Sequence, residues 1–501
     1  MKNLLYSIIV LLAFSSCKKF LDVQPESDVS KEDLFTTEDG FKEALNGVYN
    51  LASEMSLYGG NLTFSNHDIM AQNYDFTDIN YRKVASFQFN DPFLIGKNDQ
   101  IWASMYKAIG NCNAILEVVD SKRDILFNGN YEIVKGEALT LRAYLHFDLL
   151  RMFAPSYASQ PNAQAIPYVT VVSIKSTPFS TVTQVLDKII ADLTEAKELL
   201  RTADPIRSAA YVVGYPNKTY PQTFPEAKKS TEQQSGSLFL QNRRHRMNYF
   251  TVCGELARVH LYKGNHAEAL SNAQEVIDSK KFPWTLQSDF FSADVEQRDR
   301  IFYPELISAW YINYNDQMDH VNDLFSNNDA LYTPSITQKN IIFEEGGSGT
   351  VGAYDWRLRQ WFVDVSDNNS ADKAFLQKYR WNGFPQNNMH PLVAPAMRLS
   401  EMYYIAAEAS FDADPVKATA YIDTVRAHRG IGSFLPKTIA KSDFISEIVK
   451  DARKEFYGES QIFYMHKRLK RDIINPNGMI YPATDRIFVF PIPVDELAYR
   501  N

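Results

Sequence analysis

Apolar residues return at intervals of three and four over long stretches of the chain, the period of a helix that buries one face. In "STVTQVLDKIIADLTEAKELL", Val182, Val185, Leu186, Ile189, Ile190, Leu193, Ala196 and Leu200 keep this spacing. Thr181 and Gln184 stand three apart at its head, the spacing of a capping box. The same stripe marks "EDGFKEALNGVYNLAS" (Phe41, Leu45, Val48), "IWASMYKAIGNCNAILEVV" (Ile101, Met105, Ile109, Ile115) and "KGEALTLRAYLHFDLLRMF" (Ala138, Leu141, Leu145, Leu149). Each predicts a helix long enough to persist once one face is packed.

Two segments predict paired helices. "ELARVHLYKGNHAEALSNAQEVIDS" has Leu256 and Ala257, a turn at Gly264, then Ala269 and Ala273, close to the tetratricopeptide hairpin, in which small residues stand where two helices cross. "RLSEMYYIAAEASFDADPVKATAYIDTVRAHRG" repeats the plan, with a turn at Asp412 to Pro415 and Ala418 near the small position. Long insertions separate the hairpins, so a regular solenoid is not expected. Three tracts read as irregular: Gly59 to Gln100, Tyr211 to Arg246, and roughly Phe282 to Pro395. Tracts of that length carry function or fold locally on a helical frame. "ELISAWYINYN" alternates as a strand does.

The first residues follow a different pattern. Lys2 precedes an apolar run from Leu4 to Phe14, and Ser15-Ser16 leads into Cys17, a signal peptide ending in a lipobox. At 1.5 Å per residue that run spans roughly 17 Å, short of the roughly 30 Å needed to cross a bilayer. Residues 1–16 are therefore expected to be removed, leaving Cys17 as a multiply acylated anchor.

Composition narrows the classes. Of 501 residues, 45% are hydrophobic and 22% charged, which suits one large domain or two packed lobes. The formal charge of −8 has the wrong sign for a nucleic-acid partner. Cys112 and Cys253 are expected to be small buried residues. No H-E-x-x-H, G-x-S-x-G or phosphate-loop motif occurs, so the chain is expected not to be an enzyme. "DVSDNNSAD" spaces oxygen-bearing side chains, including Asp364, Asn368 and Asp372, as a calcium loop would, but lacks the glycine and final glutamate of such a loop. It reads as a solvated loop first and a calcium site second, with no other cofactor. "RRHR", Arg243 to Arg246, is expected to form salt bridges or a solvated face, with an acidic ligand or partner as the alternative.

Four ordered stretches then resemble the SusD/RagB family, surface lipoproteins that accompany TonB-dependent transporters in Bacteroidetes. They are "CKKFLDVQPESDVSKEDLFTTEDGFKEALNGVYNLAS", "GEALTLRAYLHFDLLRMFA" and the two helical hairpins; "DARKEFYGESQIFYMHKRLKR" and "FPIPVDEL" extend the match towards the C-terminus. The resemblance implies a mainly α fold: tetratricopeptide-like hairpins in a right-handed helical scaffold, with long irregular loops and minor β-hairpins. It divides the chain into an N-terminal region over 17–210, a Pro-rich polar connection over 211–246 and a C-terminal region over 247–501. It also implies a non-catalytic lid, lipid-anchored in the outer membrane and facing the cell surface, that passes a glycan to a SusC-like transporter. A peptide ligand is the alternative within the family, a surface glycoside hydrolase one from another class and a purely structural helical scaffold a third.

A glycan site needs flat rings against sugar faces and nearby polar groups for hydroxyls. Within the irregular tracts the candidates are Tyr74 and Tyr81 with Asp68, Asn73 and Arg82, and Trp284, Trp310 and Tyr311. Each ring is weighed against an ordinary role in the core.

Overall fold

The structure, a computed structural model, describes residues 31–216, 230–312, 317–326, 330–346, 351–367, 370–380, 388–391 and 393–498. The leader, Cys17 and Asn368 lie outside the described residues.

Helix α1 (Glu38–Ala52) starts where Thr37 accepts the N–H of Gly40, and it buries Phe41, Leu45, Val48 and Ala52. Helix α2 (Pro92–Val118) begins at a proline behind the cap Asp91. The first irregular tract is thus shorter than expected, and it holds helical turns at Asn61–Ser65, Asn66–Met70 and Ile79–Ala85. Helix α3 (Asn130–Phe153) is buried on almost every side, Glu137, Arg142, Asp148 and Arg151 included. A short hairpin follows, β1 (Gln164–Pro167) with β2 (Phe179–Thr181), and leads into α4 (Val182–Ala203). The capping box at Thr181 and Gln184 is present, and one apolar face packs on α3. Gly136 permits that approach, since a Cβ there would stand 2.7 Å from Leu200.

The first tetratricopeptide-like hairpin is α5 (Tyr249–Lys263) and α6 (His266–Asp278), turned by Gly264 at φ +80°. Strands β3 (Leu306–Tyr311), β4 (Phe362–Asp367), β5 (Ser370–Leu376) and β6 (Val393–Arg398) form two antiparallel pairs, β3 with β6 and β4 with β5. The third tract is therefore locally folded. The second hairpin is α7 (Leu399–Ser410) and α8 (Pro415–Ala427), with Asp414 capping and Pro415 in the first turn. Helix α6 packs on α7, so the two hairpins stack despite the insertion between them. Helices α9 (Lys441–Glu455) and α10 (Ile462–Leu469) and a small pair, β7 (Ile473–Ile474) with β8 (Ile480–Tyr481), close the fold. The main apolar core runs from Phe35 to Phe490, and a second cluster sits among α7, α8 and α9. Among the described residues no helix is long and apolar enough to cross a membrane.

Candidate functional site

A cleft of about 760 Å³ opens where α1, the 230–246 stretch, β3 and the approach to β6 meet. Helix α1 presents Asn46, Tyr49 and Asn50, spaced three and four apart on the face opposite its buried stripe. Further amides come from Gln233, Gln241, Asn242 and Asn388, and rings from Tyr303, Tyr311, His245 and His390.

The floor is a buried ion network. Glu137, fully enclosed on α3, accepts from Arg243 Nη1 at 2.6 Å, Arg246 Nε at 2.9 Å and Tyr49 Oη at 2.6 Å. Arg243 also donates twice to Asp204, each at 3.0 Å. Burial works against its charge, yet Asp204 and Glu137 hold the Arg243 guanidinium well above its usual range. Arg244 grips Glu232 through Nε at 2.8 Å and Nη2 at 2.6 Å. The expected salt bridges of "RRHR" are found, as deep anchors for the wall above them. Arg246 lies between the rings of Tyr49 and Phe239, 4.6 Å from each, and donates through Nη1 to Asn46 Oδ1 at 2.9 Å.

The aromatic wall stands on this base. Tyr303 and His390 stack 5.2 Å apart at 8°, and His245 lies 5.5 Å from Tyr311. Burial, with Arg244 adding to it, pulls His245 down to about 4, so its ring is neutral at neutral pH. Tyr311, at the end of β3, is 48% exposed.

A second cleft of about 450 Å³ is lined by Asp75, Phe76, Asp78 and Tyr81 on one side and by Leu331, Thr333, Asp372 and Lys373 on the other. The Tyr81 ring leans on Phe76 at 5.5 Å, and Arg82 is exposed on the same short helix.

The structure thus places Tyr311 in the larger cleft and Tyr81 in the smaller, and moves other candidates elsewhere. Asp68, Asn73 and Tyr74 are buried and bonded to one another: Tyr74 Oη and Asn73 Nδ2 each donate to Asp68 at 3.1 Å. Burial pushes the Asp68 carboxyl up to about 7. Trp310, 1% exposed, stacks on Tyr58 at 4.5 Å and has no ring face left for a ligand. Trp284 is half-buried, stacked on His428 at 4.3 Å and packed beside Tyr403, and lines neither cleft. "DVSDNNSAD" falls on the β4–β5 hairpin, with Asn368 outside the described residues. In its register Asp364 faces Ala374, which sets Asp372 further along the ladder, and Asp364 accepts from Lys339 at 2.7 Å. Among the described residues no three His, Cys, Asp or Glu side chains gather as a metal site would need. Cys112 and Cys253 are free and buried, and burial pushes both thiols up to about 12. The groups that sequence reasoning missed are Asn46, Tyr49, Asn50, Tyr303 and His390. For the first three, the polar spacing on α1 was the available signal.

Comparison with known proteins bears on this geometry. A family model described as "Starch-binding associating with outer membrane" matches residues 19–213, and the SusD family model matches residues 213–485. The chain belongs to the SusD family. A relative within it, SusD-like protein P2 of Formosa agariphila, is 24% identical over 552 aligned residues, covering 99% of this chain and 96% of that protein. A SusD-like carbohydrate binding protein from Bacteroides vulgatus superposes with a TM-score of 0.69 at 18% identity, covering 92% of this chain and 96% of its own. A SusD superfamily protein from Bacteroides thetaiotaomicron gives 0.68 at 21%, covering 92% and 98%. The mainly helical SusD fold is therefore shared.

Proposed function

We propose that this chain captures a glycan outside the outer membrane, held there by lipid on Cys17, and delivers it to a SusC-like TonB-dependent transporter without chemistry of its own. The observation that carries the reading is the larger cleft, where the rings of Tyr303, Tyr311 and His390 stand among six amide side chains. Rings cover the apolar faces of sugars, and amides both donate to and accept from hydroxyls. The floor is fixed before any ligand arrives, since Tyr49, Arg246 and Asn46 are already bonded. The family description and the carbohydrate-binding relative in Bacteroides vulgatus support the same class of ligand.

The lining supports a non-catalytic role. Glycoside hydrolysis needs two carboxyl groups about 5–9.5 Å apart across the bond, and none of the described residues lining this cleft is Asp or Glu. In the second cleft Asp78 is engaged as a helix cap by the N–H groups of Asn80 and Tyr81. Calorimetry against oligosaccharides and peptides tests the reading. Binding without turnover, weakened about tenfold or more by Tyr311→Ala, is expected for a glycan. Binding of peptides alone would transfer the cleft to the family's other ligand class.

A further inference from the structure

The larger cleft also bears on the charge of its ligand, on the reading that it is the capture site. Acidic residues outnumber basic ones in the chain, 60 to 52. Yet the described lining carries Arg246, two histidines and six amides, with no carboxylate. The acids nearby are enclosed and engaged. Glu137 accepts from Arg243, Arg246 and Tyr49, and Glu232 from Arg244. Asp299 accepts from Tyr215 Oη at 2.9 Å, Thr285 Oγ1 at 3.0 Å and the N–H of Tyr303 at 2.9 Å.

A neutral sugar gains from carboxylates in its site, because they are the strongest acceptors for hydroxyls. An anionic sugar is the ligand that such groups would repel. The second cleft shows the contrast, with Asp75, Asp78 and Asp372 against the single Lys373. Of the five N–H groups on Arg246, Nε donates to Glu137 and one Nη1 hydrogen to Asn46. Nη2 is buried without a partner, so Nη1, in the exposed pair with Asn46, is the edge of the guanidinium that meets the cleft, clamped between Tyr49 and Phe239.

We propose that the ligand is an acidic glycan, bearing carboxylate or sulfate groups, and that one such group seats at the Arg246–Asn46 edge of the cleft. The probes are an oligogalacturonate and a sulfated oligosaccharide, each titrated beside its carboxyl-reduced or desulfated counterpart of equal length. The acid-bearing member of at least one pair should bind, and removal of its acid groups should weaken binding about tenfold or more. Added salt should weaken it as well. Asn46→Asp alters an exposed position, keeps an acceptor for Arg246 Nη1 and sets a competing carboxylate there; it should cost the acidic ligand a similar factor. Neutral counterparts that bind as tightly as their parents, or an Asn46→Asp protein with unchanged affinity, would overturn the charge assignment and leave glycan capture standing. If no glycan binds, or if binding is indifferent to Tyr311→Ala, the capture reading falls and this inference with it.

Discussion

Burial keeps His146 neutral, and its hydrogen bonds fix the tautomer. The N–H of Val169 donates to its Nε2 at 3.0 Å, so the proton sits on Nδ1, which donates to the Arg142 carbonyl at 2.8 Å. Burial pulls its pKa down to about 3, and it does the same to His67, beside Arg151 and Lys467. The unfolded chain takes up these protons as pH falls through about 6.5, while the folded chain resists until near 3. The stability these two histidines confer is thus complete above about 6.5 and is lost on acidification below it, by about 1.4 kcal/mol per pH unit for each histidine. Urea midpoints should fall between pH 7 and 5, and His146→Gln, which keeps an acceptor for Val169, should flatten that slope; an unchanged slope would refute the assignment. Trp310→Ala should act on stability, by about 3–5 kcal/mol, because the ring is enclosed against Tyr58 and Tyr144. The adjacent Tyr311 turns outward on the same strand and acts on binding. Position within the third tract could not separate these neighbours, since only the pairing of β3 with β6 decides which way each ring points.

The helices were legible where one face meets solvent. For α4, stripe, cap and start all agree with its sequence pattern, and Thr181→Ala should cost about 1 kcal/mol in a thermal melt, because the N–H of Gln184 loses its acceptor. Helix α3 shows where periodicity says less. It is buried on nearly all sides, and its charged residues are core ion partners for α4 and the "RRHR" segment and accept from Tyr49 on α1, so they read in sequence as an ordinary polar face. The cleft was partly hidden for the same reason. Its rings and amides come from four separate segments, brought together by an ion network whose partners are far apart in the chain. The first irregular tract was overestimated in length because its last residues already belong to α2, where Pro92 behind the Asp91 cap opens the helix without loss.

At the scale of the whole molecule, the proposed surface role turns on how the folded body is held. Among the described residues no helix is long and apolar enough to cross a membrane, and the anchor proposed above is a lipid on Cys17. The chain from Cys17 to Lys31 can reach at most about 50 Å when extended, so a lipid on Cys17 would keep the body near the membrane. Two or more acyl chains give stable attachment where one would exchange. Cys17→Ser should therefore move the protein from the membrane fraction to the soluble one. The cleft draws its walls from residues 46 to 391, so glycan affinity in calorimetry should be unchanged by the same substitution. A Cys17→Ser protein that stays in the membrane fraction would refute the lipid anchor. One that is released but binds glycan more weakly would mean that the tether shapes the cleft.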